Sequence, residues 1–477
     1  MTRGTTRSMT LGRRTLLAAL LAGPATTQAQ ESAATLRDLA RRATIYLFPL
    51  YEMYRTRWQA TVNDANPLRQ KLNRFLHVVT LADHRTRLVT TPNNDTLYSM
   101  AWLDLSLEPL FLTVPPVGDL YYNYAFIDLF TDNFAYVSHR LYGGQPPPLM
   151  IVGPNWKGDA PSEVKLVRAP TNSVWLLGRI LVDGPEELDR VRILQARVLL
   201  ETPDMRNERR ILETRELMRQ RTVAPPESVA DWPAPNRADP FDLFEVGMRA
   251  LGESPVPERD HAFLEQLAPL RLRPGRKFDV RAFNESEQRA IQAGIEQGYA
   301  EIRSSGHRFG KTVDGWTYGQ RNLGNFGTDY LYRAVVALGG LGALEPAEAV
   351  YVTCHADSAG QSLDGGHRYQ LTFPANSLPP ASAFWSLAMY EITPEGRAFF
   401  VDNPIGRYAI GDRTRDLQTA ADGSVTLYLQ HERPQGGEAT NWLPAPAGRM
   451  RLKLRAYEPG EALIEGRYRV PAVRRMD

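Results

Sequence analysis

The feature that most constrains this chain is a change of texture along it. From residue 78 the sequence breaks into short runs rich in β-branched and aromatic residues, cut by Pro and Gly, at 97–105, 110–114, 120–137, 149–152, 164–167 and 174–182. Such spacing predicts antiparallel strands in a sandwich or barrel rather than βαβ units. From 349 the texture returns, at 349–353, 369–373, 383–391, 425–430, 449–457 and 468–470. Between the two lies a helical stretch, about 208–344, interrupted by Ala224-Pro225-Pro226 and Trp232-Pro233-Ala234-Pro235. The fold expected is mainly β with a helical section (α+β): two antiparallel β-sandwich or jelly-roll-like domains joined by helices. The divisions read 1–29 signal peptide, 30–205 N-terminal sandwich with a leading helix, 206–345 helical connection and 346–477 C-terminal jelly-roll-like domain.

Helices are signed locally. Leu36, Leu39, Ala43 and Leu47 share one helical face, and 186–200 reads as a helix. Asn284 with Glu287 three residues on is a capping box before the stripe Ile291, Ile295, Tyr299 and Ile302. A further helix starts near Thr328-Asp329 and stops at Gly339-Gly340-Leu341-Gly342.

The single cysteine, Cys354, rules out an intrachain disulfide and any CxxC metal site, so a chain of 477 residues must rest on its apolar cores. The first 29 residues hold Arg3, Arg7, Arg13 and Arg14 and no acid. Without them the 56 basic residues fall to 52 against 54 acidic, a net charge of −2, which argues against a general nucleic-acid binder. Arg13-Arg14 before a short apolar run, then Thr27-Gln28-Ala29, resembles a twin-arginine export signal. The run is shorter than the roughly 20 apolar residues that span a bilayer. Export to the periplasm or outside a bacterial cell is expected, with no stable membrane insertion after cleavage.

The chemistry-bearing residues cluster in two strands. Asn93, Asn94 and Asp95 form turns by bonding their own backbone, and Tyr98 follows. In the strand after Leu120, period-two geometry puts Tyr122, Tyr124, Phe126 and Asp128 on one face and Tyr121, Asn123, Ala125 and Ile127 on the other. Carboxylates beside phenols suit a flat polar ligand. Asp95 and Asp128 are the expected catalytic acid and base, with Asn93, Asn94, Tyr98, Tyr122, Tyr124, Arg321 and Asn325 binding substrate. The competing reading of each strand is sheet packing. Cofactors expected are none; His355, Asp357, Asp364 and His367 are the only candidate metal set, against a reading as a Gly-rich turn between strands. No GxSxG, HExxH or Walker loop is present, and no GxGxxG in a βαβ context.

The stretch from Pro92 to Leu105, the Tyr-rich strand and Asp132-Asn133-Phe134 resemble the domain-of-unknown-function 1254 family. Ala383–Tyr390, Asp402–Tyr408, Asp422-Gly423-Ser424, Asn441–Pro446 and Leu454–Pro459 resemble the domain-of-unknown-function 1214 family. The resemblance implies two β-sandwich domains with helices between them in an exported bacterial protein, and no established reaction. The reading is a hydrolase or lyase acting on a small or oligomeric polar, sugar-like or aromatic substrate. The alternatives are a non-catalytic carbohydrate- or envelope-binding protein and a metal-dependent enzyme. Expected partners are a small-molecule or oligosaccharide-like ligand and no nucleic acid, with homo-oligomerisation left open.

Overall fold

The computed structural model describes residues 23–87, 90–215 and 233–477. The twin-arginine run and Ala224-Pro225-Pro226 lie outside the described residues.

Helix α1 (Gly23–Thr61) is followed by strands β1 (Leu76–His77), β2 (Thr96–Asp104), β3 (Leu110–Thr113), β4 (Tyr122–Ile127), β5 (Asn133–Ser138), β6 (Leu149–Val152), β7 (Lys165–Arg168), β8 (Ser173–Leu181) and β9 (Leu199–Glu201). Short helices α2 (His139–Tyr142) and α3 (Leu188–Ala196) sit among them. The strands make two sheets, ordered β1-β2-β8-β4-β5 and β7-β6-β3-β9. Leu97, Leu103, Leu176 and Ile180 of the first meet Leu110, Leu112, Ile151 and Leu200 of the second in one core. The expected run 120–137 is broken into a hairpin, because Asp128 accepts the N–H groups of Phe130 (2.9 Å) and Asp132 (3.0 Å) and turns the chain.

The middle section is helical: α4 (Pro203–Arg215), α5 (Asp242–Gly252), α6 (Glu258–Gln266), α7 (Glu285–Ser304) and α8 (Tyr330–Gly339). The capping box forms as read, with Asn284 Oδ1 accepting from Glu287 N–H at 3.0 Å and Glu287 Oε2 from Asn284 N–H at 2.9 Å. α1 packs on α5, α7 and α8, so the leading helix joins the helical layer. Gly294 and Gly298 of α7 allow that approach: a Cβ on Gly294 would stand 2.2 Å from Arg37 O.

The second unit comprises β10 (Gly310–Val313), β11 (Trp316–Gly319), β12 (Ala349–Cys354), β13 (Tyr369–Phe373), β14 (Ala381–Ile392), β15 (Ala398–Phe399), β16 (Ala409–Gly411), β17 (Val425–Gln430), β18 (Trp442–Pro444), β19 (Met450–Pro459), α9 (Glu461–Ile464) and β20 (Arg474–Arg475). A large sheet, β10-β11-β12-β19-β14-β15 with β16 also on β14, packs on a smaller one, β18-β17-β13-β20. Val352, Leu387, Leu452 and Leu454 meet Leu371, Leu427 and Leu429 in its core. The protein is a mixed α+β chain of two sandwiches, antiparallel except at β6–β7 and β17–β18. Among the described residues no helix is long and apolar enough to cross a membrane.

The outer faces of the two large sheets are not solvent faces. Trp102, Tyr121, Ala125, Ile127 and Leu177 of the first share a core with α1, α5 and α7 and with Ala349, Phe384 and Tyr457 of the second unit. Each large sheet is therefore covered on both sides, and its polar residues on the shared side are enclosed.

Candidate functional site

The site grows from two rows of side chains that face each other across this junction. On the first sheet, register places Arg179 of the central strand β8 opposite Tyr98 on β2 and opposite Asn123 on β4. On the second, Arg455 of β19 lies between Tyr351 on β12 and Ser386 on β14. Lys453 and Tyr457 flank Arg455 at period two. Alternation does the local work: Leu452, Leu454 and Ala456 enter the sandwich core while Lys453, Arg455 and Tyr457 turn to the junction.

The Asn93–Asp95 turn binds the rows together. Asn93 Oδ1 accepts Asp95 N–H at 2.8 Å, and Asn93 Nδ2 donates to Thr96 Oγ1 (3.1 Å) and to Tyr457 OH (2.9 Å) across the junction. Ser386 Oγ donates to Asp95 Oδ2 at 2.7 Å. Arg455 donates to Tyr390 OH (2.8 Å) and Thr91 O (3.0 Å), and Tyr390 OH donates to Pro92 O at 2.7 Å. Tyr121 completes the wall, its ring 5.0 Å from that of Tyr457 and 5.6 Å from that of Phe384.

Three polar atoms in this wall are buried without a hydrogen-bond partner: Arg179 Nη1, Tyr121 OH and Asn123 Oδ1. Arg179 Nη2 donates to Gly342 O at 3.1 Å and the guanidinium lies over the Tyr98 ring, 5.3 Å from its centroid. Asp95, Tyr98, Tyr351 and Lys453 are half-buried, whereas Arg179 and Arg455 are buried.

Electrostatics follow from enclosure. Burial alone would raise the Tyr98 phenol, but Arg179, Arg455 and hydrogen bonds from Arg179 and Asn93 outweigh it and hold it below its ordinary value. Burial raises the Asp95 carboxyl, against the pull of Arg455 and Ser386. Asp412, which accepts Trp385 N–H at 3.1 Å, is pushed up to about 6 by burial, with Asp95 adding to it. Burial, then Arg455 and Arg451, lower the Lys453 ammonium to about 7. A depressed phenol, a raised carboxyl and a near-neutral amine are together the equipment of proton transfer.

The expected site residues divide. Asn93, Asp95 and Tyr98 stand here, whereas Asn94 donates to Ala82 O at 2.5 Å and serves the turn. Tyr122 and Tyr124 face the opposite way, into the first sandwich core, where Tyr122 OH donates to Gly143 O at 2.9 Å. The Tyr ladder is thus packing, and the other face of the same strand borders the site.

Asp128 does not meet Asp95. Asp95 O accepts from Val182 N–H, while Asp128 follows the Ile127–Trp175 pair, and positions 175 to 182 of an extended strand span roughly 23 Å. Asp128 instead sits with Asp132, which pairs with Arg259 and accepts Phe326 N–H at 2.9 Å. Burial, then Asp132, push the Asp128 carboxyl up to about 8. Arg321 and Asn325 are exposed, and Arg321 donates to Glu465 O at 3.1 Å, away from the junction.

The four metal candidates stand apart: the backbone N–H of His355 donates to Gly315 O at 3.1 Å, and the others serve turns or the chain end. Asp357 accepts N–H from Ala359 and Gln361, Asp364 accepts N–H from Gly366, and His367 lies 3.4 Å from Asp477. Among the described residues no three of His, Cys, Asp or Glu converge as a metal set.

Sequence reading missed Arg179, Arg455, Lys453, Tyr351, Tyr457 and Ser386. One signal was available: Arg451, Lys453 and Arg455 alternate with Leu452 and Leu454, which places three cations on one strand face. Beside the junction, a cleft of about 410 Å³ is lined by His139, Arg140, Ser382 and Glu458, with His139 Nδ1 2.8 Å from Glu458 Oε1.

Comparison with known proteins bears on this architecture. The crystal structure of the VPA0106 protein from Vibrio parahaemolyticus is similar to this chain with a TM-score of 0.67 at 24% identity, covering 93% of this chain and 100% of that one. An uncharacterised protein from Burkholderia cenocepacia aligns over 96% of this chain and 98% of its own at 12% identity and a TM-score of 0.44. No curated protein matches. Residues 72–202 match the model described as protein of unknown function (DUF1254) and residues 348–461 that of DUF1214, so the first sandwich is a DUF1254 domain and the second a DUF1214 domain.

Proposed function

We propose that this protein is an exported enzyme, a hydrolase or lyase that moves protons on a small polar substrate held between the two large sheets. The observation that carries the reading is Tyr98. Its phenol is enclosed, stacked under the Arg179 guanidinium and held below its ordinary value, which is the condition of a phenolate base. Asp95, raised toward its acid form beside Ser386, is the complementary donor. In an elimination Tyr98 takes the proton from substrate and Asp95 returns one to the leaving group; in a hydrolysis Tyr98 takes it from water. Asp128 has no part in this step.

The test is a panel of hydrolase and lyase substrates assayed with the form lacking residues 1–29, wild type beside Tyr98→Phe. An activity that falls at least about a hundredfold in Tyr98→Phe supports the reading, in line with the usual worth of acid–base catalysis. An activity that Tyr98→Phe leaves intact sinks it, and ligand binding with no turnover would favour the non-catalytic binder. For export, cell fractionation should find the protein retained in the cytoplasm once Arg13 and Arg14 are both changed to Lys.

A further inference from the structure

We infer that the ligand of this site carries a carboxylate, received between Arg179 of the first large sheet and Arg455 of the second. The inference rests on the reading above in placing the site, not in assigning its chemistry. Both arginines are more than nine-tenths buried, at 6% and 4% exposure. Among the described residues neither has a carboxylate within ion-pair distance. Arg179 Nη1 has no hydrogen-bond partner at all. Lys453 lies on the same strand as Arg455, its ammonium lowered to about 7 so that it is charged in part near neutral pH.

Enclosing cations without a counter-charge is costly, because each has lost its water and gained no anion. Among the described residues two acids touch the rows, Asp95 bonded to Ser386 and Glu348 bonded to Asn123 and paired with Arg140, and neither pairs with Arg179 or Arg455. Asp95 stands beside two buried arginines, so the guanidiniums of the site outnumber the acid next to them. A small anion answers the remainder.

The donors choose among anions. They are planar guanidiniums on two strands whose backbone N–H groups are spent in the sheet ladders. Phosphate sites commonly draw on several free backbone N–H groups at a helix start or nest, and the two arginines here stand on paired strands instead. The unpartnered donor is Arg179 Nη1, while Arg455 already donates to Tyr390 OH, Thr91 O and Pro92 O, and one free edge of a guanidinium fork suits a carboxylate of two oxygens and a single charge. The orphan Tyr121 OH and Asn123 Oδ1 beside the fork would address a polar substituent on the same molecule.

The experiment is a binding series on the exported form with succinate and benzoate, each beside its neutral amide, and inorganic phosphate. Melting temperature gives the screen and calorimetry the affinity. We expect at least one carboxylate to stabilise wild type while succinamide, benzamide and phosphate do not. Arg179→Gln and Arg455→Gln should each weaken binding roughly ten- to hundred-fold, the worth of a charge-assisted bond. Should either variant fail to fold, wild type alone decides: at least one of succinate and benzoate should bind at least about tenfold more tightly than its amide and than phosphate. Equal binding of acids and amides, or preference for phosphate, would overturn the inference. Carboxylate binding together with an activity insensitive to Tyr98→Phe would leave the inference standing and remove the catalytic reading. A Tyr98-dependent activity on neutral substrates alone would do the reverse.

Discussion

Lys453→Met offers a test whose size and pH dependence both follow from the structure. The ammonium is lowered from an ordinary 10.5 to about 7 by burial and by the neighbouring Arg455 and Arg451. Among the described residues its hydrogen bond is a long one, 3.4 Å to Thr91 Oγ1. The folded pKa is depressed, so folding disfavours the protonated form. No cost exists above the unfolded pKa; it grows as pH falls through the interval and is constant below the folded pKa. Over that interval the cost of the charge is ~4 kcal/mol near pH 7, ~2 kcal/mol near pH 9 and close to zero near pH 11. Lys453 keeps part of its surface accessible, so solvent screening reduces these figures to about half.

Methionine fills a similar volume, has no charge and needs no partner. Lys453→Met should therefore be more stable than wild type by ~2 kcal/mol near pH 7 and ~1 kcal/mol near pH 9, and equal to it near pH 11. Urea unfolding followed by tryptophan fluorescence at the three pH values reads this as a shift in midpoint at constant slope. A variant that loses stability near pH 7, or gains the same amount at every pH, refutes the account of Lys453 as an enclosed, uncompensated cation.

Three further outcomes follow. Gly178→Ala puts a Cβ 2.4 Å from the Tyr124 ring, so β8 or the ring must shift, and the urea midpoint should report a loss of about 1–3 kcal/mol; an unchanged midpoint would mean the ring is not seated on the strand. Glu348→Ala removes the acceptor of Asn123 Nδ2 (2.7 Å), Ser138 Oγ (3.0 Å) and Arg140 Nε (2.5 Å), and should cost about 3 kcal/mol, a loss under about 1 kcal/mol showing that these bonds do not hold the two sandwiches together. Asp128 is raised to about 8, so its stabilising contribution is full below the ordinary carboxylate range and is lost as pH rises through 8. Asp128→Asn keeps the Oδ1 acceptor for Phe130 and Asp132, so it should gain melting temperature on wild type from pH 5 to pH 8, and an equal difference at both would contradict the burial of that carboxyl.

The sequence carried the parts of the structure that local rules decide. Asn284 and Glu287 announce a helix start because both ends of the box lie within one turn. Pro92–Tyr98 reads as a turn and a strand because Asn93 bonds the backbone two residues on. What failed was the choice between two faces of a strand. Period two separates Tyr122 and Tyr124 from Tyr121 and Asn123, but it does not say which face meets the partner sheet. With both faces covered, neither reads as solvent-facing, and the richer aromatic ladder proved to be sandwich core. The pairing of Asp95 with Asp128 failed for a different reason: strand order β2-β8-β4 sets the two at opposite ends of the sheet.

The cations of the junction are hard to explain by folding alone. Apolar side chains at 179, 453 and 455 would join the surrounding core without the cost of stripping water from charge. The rows also come from two sandwiches, each with an internal core that does not include these cations. Their facing placement is useful only once something negative lies between them. Stability and ligand affinity should then move in opposite directions on substitution, as they do where a site is strained for function. Lys453→Met is the cleanest instance: the same change expected to raise the urea midpoint removes a cation from the binding row, and calorimetry should show weaker carboxylate binding in the more stable protein.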